Sequence, residues 1–296
     1  MFFALTVSLF LFCSPVAMAE DSEIPGNRLF MESLTGARLN PMGLQTRFGL
    51  SYRRRLFTMD GVLFQDTYAS VGPIANITPG NGGIGGQVQV MPLAILRLKA
   101  SYELFGSFGV FRQIHAFESL DVDYHDDALK ALGSGNSRMG GIGRLEALLQ
   151  MKLGPVAARN TFAAHRYDMK VSSTEVAFYD QSLDLLVPTR GWAWTNDTDL
   201  LVMMPNGFTV GARWSAGKAL HDNPGDSVAA KATHRVGPIM AYTFFNEPGS
   251  VFNTPTLFFI SQWQAAHPYR TGQEQAAWLP TLSIGFAFTG DLLPWD

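Results

Sequence analysis

Residues 94–105 read Ala94-Ile95-Leu96-Arg97-Leu98-Lys99-Ala100-Ser101-Tyr102-Glu103-Leu104-Phe105. Every second side chain, from Ala94 through Leu96, Leu98, Ala100 and Tyr102 to Leu104, is apolar or aromatic. The set between them is Ile95, Arg97, Lys99, Ser101 and Glu103. A period of two belongs to a strand with one face in apolar surroundings and the other in polar ones. The stretch is also long enough for the about 9–11 residues of a strand that crosses a membrane.

The pattern recurs along the chain. In 143–153, Leu145, Ala147, Leu149, Met151 and Leu153 oppose Arg144, Glu146, Leu148, Gln150 and Lys152. A helix would put Arg144, Leu148 and Lys152 on one stripe with no apolar face to match. Phe48, Leu50, Tyr52 and Leu56 alternate with Arg47, Gly49, Ser51, Arg53 and Arg55. Phe208, Val210, Ala212 and Trp214 alternate with Thr209, Gly211, Arg213 and Ser215, and 278–289 behaves in the same way. Weaker alternation covers 62–71, 84–91, 156–170, 192–204, 229–245 and 255–266, where Asp66, Arg159 and Asn196 fall on the wrong face, so those registers are open or bulged. These are eleven strands. Tight turn chemistry marks 58–61, 91–93, 154–155, 205–207 and 246–249, and long connections fall at about 72–83, 110–140, 171–190, 218–228 and 267–276. Short and long alternate. A strand over 28–39, turning at Asn40-Pro41-Met42-Gly43, makes an even number and returns both ends to one side. The expectation is an all-β, transmembrane, antiparallel up-and-down barrel of about twelve strands, with ten or fourteen as alternatives.

Composition agrees. The chain has 296 residues with 22 Lys+Arg, 25 Asp+Glu and a net charge of −3; only 16% are charged, and 12% are aromatic. Disorder is excluded by the aromatic content, and a nucleic-acid role by the slightly acidic balance without a basic block. A disulfide scaffold is excluded because there is one cysteine. Residues 1–19 carry no charge. Phe2 to Phe12 form an apolar run, and Ala17-Met18-Ala19 is a small-x-small site. That reads as a secretory signal peptide cleaved after Ala19, removing Cys13. The rest, 20–296, reads as one barrel domain with strands over about 28–290 and a short tail, 291–296. No later stretch approaches the about 18 apolar residues of a spanning helix, so an exported chain this apolar must cross as a closed barrel if it crosses at all. Aromatics near strand ends, among them Phe57, Phe108, Trp192, Trp194, Trp214, Trp263, Trp278 and Phe288, fit interfacial girdles.

On these features the chain resembles a Gram-negative outer-membrane β-barrel of the small porin-like kind, over residues 28–290. Ser283-Ile284-Gly285-Phe286-Ala287-Phe288 is similar to the terminal signal that barrel-assembly machinery reads, although Thr289 to Asp296 follow it. The resemblance implies residence in the cell outer membrane, with that machinery, outer-membrane lipid and lipopolysaccharide as partners. No cofactor is implied, and the oligomeric state is not legible.

The expected lumen-lining residues are Arg47, Arg53, Arg55, Arg97, Lys99, Glu103, Arg144, Glu146, Lys152, Asp197, Asp199, Arg213, Lys231 and Arg235. Ten are basic and four acidic, so a positive interior is expected, which favours anions. The leading function is a passive channel for small solutes, anions by preference. Buried charges also pair across a filled wall, so a non-conducting structural or surface-binding barrel acting through its loops is the alternative. Residues 110–140 are acidic; the run Asp121-Val122-Asp123-Tyr124-His125-Asp126-Asp127 reads as solvated surface, lacking the glycine of a calcium loop. An enzyme is disfavoured. The residues two places after His115, His125, His165, His221, His234 and His267 are never Ser, so the His-x-Ser pair of barrel lipases is absent, and His125 beside Asp126 or Asp127 is a weak protease-like pair. Gly82-Gly83-Ile84-Gly85-Gly86 has no helix after it and reads as a loop rim, not a phosphate loop.

Overall fold

The computed structural model describes residues 24–107, 114–133, 137–222, 225, 227–270 and 279–293. The leader read over 1–19, Phe108, Trp278, loop residues 110–113, 134–136 and 271–276, and tail residues 294–296 lie outside the described residues. The alternation closes into a barrel of twelve strands: β1 (Asn27–Leu39), β2 (Gly43–Arg55), β3 (Tyr68–Ile77), β4 (Asn81–Leu93), β5 (Leu96–Ser107), β7 (Arg138–Leu153), β8 (Val156–Lys170), β11 (Arg190–Met203), β12 (Phe208–Leu220), β13 (Thr233–Thr243), β14 (Asn253–Ala266) and β15 (Thr281–Asp291). Each is antiparallel to the barrel strand before it, and β15 pairs with β1 from Phe30↔Asp291 to Leu39↔Leu282. Closure leaves no edge, so the ladder satisfies the backbone groups that lipid cannot. Three short strands, β6 (Ala116–Phe117), β9 (Ala177–Asp180) and β10 (Leu185–Pro188), form a second sheet from two long loops, and α1 (Asp126–Ala131) lies in the first of these.

The period of two sorts the side chains as the sequence requires. Leu104 (62% exposed), Leu145 (54%) and Leu200 (58%) face outward, while Arg97, Lys99, Glu146 and Asp199, at the alternate positions of the same strands, are buried inside. Outward aromatics gather toward both ends. Trp192, Trp194, Trp214 and Trp263 lie toward the end that carries the long loops. Phe208, Tyr242, Phe244, Phe252 and Phe288 lie toward the other, where Tyr242–Phe244 and Phe252–Phe288 make ring contacts. This exterior is the surface of a barrel that sits in a bilayer.

The structure corrects several boundaries. The third strand is not 62–71 but Tyr68–Ile77, and 62–64 is a 3-10 turn inside a long connection, 56–67. The expected long loop 72–83 shrinks to 78–80, so strict alternation of short and long connections fails there. The glycine run 82–86 that read as loop is strand: β4 pairs Gly85 with Glu103 on one side and with Ile74 on the other. Glycine weakens a strand in isolation but permits close backbone approach. A Cβ on Gly85 would stand 1.9 Å from the Tyr102 carbonyl oxygen, and one on Gly72 would stand 1.9 Å from that of Leu50. The strand expected over 229–245 begins at Thr233, after a 3-10 turn over 228–230. No bulge interrupts β8 or β11; the register shifts lie instead between Val90 and Leu93, at His234/Arg235 and between Asn253 and Thr256. Asp66 is outside any strand, Arg159 faces inward, and Asn196 faces outward beside Asn160.

Candidate functional site

The inward faces of β2, β5 and β7 carry Arg47, Arg53, Arg55, Arg97, Lys99 and Arg144 against Glu103 and Glu146. Few carboxylates serve many cations. Glu146 accepts from Arg97 Nη2 at 3.0 Å and meets Arg144 Nη2 at 3.0 Å. Two pairs cross the interior between strands that are not neighbours: Arg47 of β2 to Glu103 of β5 at 3.1 Å, and Lys99 of β5 to Glu32 of β1 at 3.4 Å. Arg53 lies over the rings of Phe30, 3.3 Å from the centroid, and Tyr68, 4.3 Å away. Such cation–π contacts hold a guanidinium without neutralising it. Between these cations, Gln87 and Gln89 of β4 are buried, and neither end of either amide has a hydrogen-bond partner among the described residues.

A second knot ties β8, β11 and β12. Arg213 Nε donates to Asp199 Oδ1 at 2.6 Å, and Arg159 Nε donates to Asp199 Oδ2 at 2.9 Å. Asp197 accepts from Ser215, whose oxygen in turn accepts from Gln262 at 2.9 Å. Arg235 is paired in register with Ser215, on the same inward face. Next to this knot Leu34, Ala157, Leu201, Ile239, Ala241, Phe258, Ile260 and Ala287 pack as one apolar cluster, with Thr256, Ser283 and Thr289 buried on the same strands.

Two of the expected lining residues do not sit within the wall. Lys231 is exposed in the loop before β13 and does not line the wall, while Lys152 keeps the inward parity of Arg144 and Glu146, paired with the buried Ala157, but is exposed at the very end of β7. Lys231 was read as wall because the strand was begun four residues early. Missed were Arg28, Glu32 and Arg38, which alternate along β1 with Phe30 and Leu34; the spacing was visible, but the faces of 28–39 went unsorted. Gln87 and Gln89 also carried a signal, alternating with Val88 and Val90. Arg159 was missed for want of the right register.

The long loops fold into the mouth at one end. β9 and β10 pack Phe178, Leu185 and Val187 against Tyr167 and Met169 of β8, Ala193 of β11 and Ala219 of β12. Burying a Phe or Leu side chain contributes about 1.5–3 kcal/mol each, so this plug is held by packing as well as polar contacts. Arg38 donates to the carbonyls of Gln181 and Ser182, and Tyr167 Oη donates to Asp180 at 2.7 Å. The plug is fastened by Asp184: Arg270 Nε donates to its Oδ2 at 2.6 Å, Tyr179 Oη to its Oδ1 at 2.6 Å, and His267 Nε2 lies 3.3 Å away. Burial would raise the Asp184 carboxyl, but Arg270 and His267 outweigh it and hold the group well below the usual range. Arg270 also reaches Asp126 at 3.1 Å and Asn40 at 2.9 Å, joining three loops and a turn. The acidic run is thus partly internal: Asp126 meets Arg270, Asp127 meets Lys130, and His125 meets Asp123.

Cavities lie at both ends of the basic strip. One lies between plug and wall, with Arg47, Asn81, Glu103, Arg144, His165 and Asp180 in its lining. A smaller one at the opposite end is lined by Arg28, Arg53, Arg55, Asp66 and Tyr68.

No family model and no curated protein matches the chain. Among solved structures it is similar to the NanC porin, at TM-score 0.39 and 10% identity over 89% of this chain and 100% of that one. OccAB1 of Acinetobacter baumannii gives 0.41 and 13%, over 85% of this chain and 58% of that one. The outer membrane protein OprD from Pseudomonas aeruginosa gives 0.29 and 10%, over 92% and 95%. Likeness at this level carries no residue role across. What stands from this chain itself is a closed, lipid-facing twelve-strand barrel with a charged strip inside and a folded plug at one mouth.

Proposed function

We propose that the barrel is an outer-membrane channel for small hydrophilic solutes, with anions favoured, and that the passage follows the strip from β2 to β7. The plugged mouth then faces outside, and the end holding both termini faces the periplasm. The single observation that carries this reading is the pair Gln87 and Gln89, buried among six cations with amides that no protein group satisfies. Buried polar groups take water or a polar solute where protein offers nothing. The surplus of arginine over carboxylate gives that water-filled strip a positive field, which lowers the barrier for anions. No catalytic step is assigned to any residue.

The non-conducting alternative also rests on an observation. Lys99–Glu32 and Arg47–Glu103 cross the interior, and the Asp184 knot holds the plug shut. Conductance of the folded barrel in a planar bilayer under a salt gradient separates the two. A channel gives steady current with a reversal potential on the anion side, and Arg53→Glu or Arg97→Glu moves that potential toward cations. A folded barrel that stays silent when the plug is also unlocked is a closed wall, and the channel reading fails.

A further inference from the structure

The lipid-facing surface is not uniform. Among the described residues, the outward strand charges toward the plugged end are Arg166, Asp168 and Lys170 of β8, Arg190 of β11 and Lys218 of β12, all on three adjacent strands. The outward positions at the same end of β1, β2, β5, β7 and β15 are Leu39, Leu44, Leu104, Met139 and Leu282. A charge on a lipid-facing position near the interface costs up to about 1 kcal/mol, so four cations on one sector need an anionic partner at headgroup depth.

The four are arranged around tryptophan. Arg166 is paired in register with Trp192 and lies over its ring, 5.8 Å from the centroid. Trp194 is paired with Lys218. Arg190 lies 3.3 Å from Asp168, both widely exposed, and that is the cluster's one carboxylate. Lys170 and Lys218 have no ion pair among the described residues. With strands about 4.8 Å apart and same-face residues about 6.8 Å apart, the cations span roughly 10 by 20 Å, because Lys218 is level with Ala164 and Lys170 lies three same-face steps beyond it. Tryptophan marks headgroup level. We infer that this sector binds a phosphate-bearing lipid headgroup of the outer leaflet, one with more than one phosphate. The inference rests on the orientation proposed above. A second copy of the chain on a two-fold axis is disfavoured, because it would set this cationic face against itself.

The test is native mass spectrometry of the folded full chain titrated with bisphosphorylated lipid A, with dephosphorylated lipid A and inorganic phosphate as separate arms. At about 1 kcal/mol per cation, each removal weakens binding roughly fivefold. The quadruple variant R166Q/K170Q/R190Q/K218Q is expected to lose at least fiftyfold, and Asp168→Asn, which removes the opposing carboxylate, to gain severalfold. Unchanged conductance shows that the variants fold, and it keeps a failed lipid site distinct from a failed channel. Equal binding by the quadruple variant, or equal binding of the dephosphorylated lipid, overturns the proposal. Millimolar phosphate displacing the lipid assigns the site to the free ion and overturns it too, as does an oligomer that falls apart in the variant with lipid retention unaltered.

Discussion

The two sides of the barrel interior obey different rules. From β13 to β15, Ile239, Ala241, Phe258, Ile260 and Ala287 meet across the barrel like a soluble core. From β2 to β7 the same inward positions hold arginine, lysine and glutamine, joined by shared carboxylates. Apolar groups gain by filling space, so that side closes solid. Charged groups need several partners each, and too few carboxylates are present, so that side keeps room for water. In the proposed channel, the route is set by which strands carry arginine, not by strand number alone.

Breaking the apolar side gives the largest effect on stability. Phe258→Ala is expected to cost about 3–5 kcal/mol, read as a lowered urea midpoint with little change in conductance. The mirror substitution, Gln89→Ala, is expected to leave the midpoint within about 1 kcal/mol and to change conductance instead. The plug comes next. Arg270→Ala strands a buried carboxylate, a local loss of about 3–5 kcal/mol, expected as severalfold higher conductance and protease cutting within 171–189 while the barrel midpoint holds. The pH response follows from Asp184. Its folded carboxyl lies well below 3.8, so its stabilisation is complete above that value and is lost only as pH falls through the lowered one. Conductance is therefore expected to stay flat from pH 7 to about 4 and to rise only in stronger acid; a step near neutrality would remove Asp184 as the fastener. The smallest effect belongs to His221, whose Nε2 reaches the Leu186 carbonyl at 2.9 Å. Burial lowers its proton affinity, so the neutral form is favoured when folded. The Leu186 carbonyl accepts from either form, so what fades as pH falls below 6.5 is the advantage of burying a neutral ring, expected as slightly faster amide exchange in β10.

The barrel was legible because its walls see two solvents, and that imprints a period of two on strands such as Leu96–Ser107 and Arg138–Leu153. The count of twelve followed from parity and turn chemistry. Where period two met glycine, at 82–86, composition argued for loop while pairing with Pro73–Ile77 and Tyr102–Gly106 made strand. The paired charges inside were half legible: Arg97, Lys99 and Glu146 lie in clean alternation, but which of them cross the interior depends on closure. The plug left no trace in periodicity. Asp184 and Arg270 are 86 residues apart in separate loops, and only the closed barrel brings those loops over one mouth.

The seam where the barrel closes sets the order of its assembly. Arg28 grips Asp291 with two hydrogen bonds, at 2.8 and 2.7 Å, across a sequence separation of 263 residues, and the Leu292 amide donates to the Leu29 carbonyl. Every other seam in the wall joins barrel strands that follow one another in the chain. The hairpins can form as they emerge; β1 must wait for the final strand. Until Asp291 arrives, the molecule is an open sheet with two unpaired edges and a lipid-facing surface in water. That is a slow folding topology, with exposed edges that invite aggregation until the last strand closes the wall.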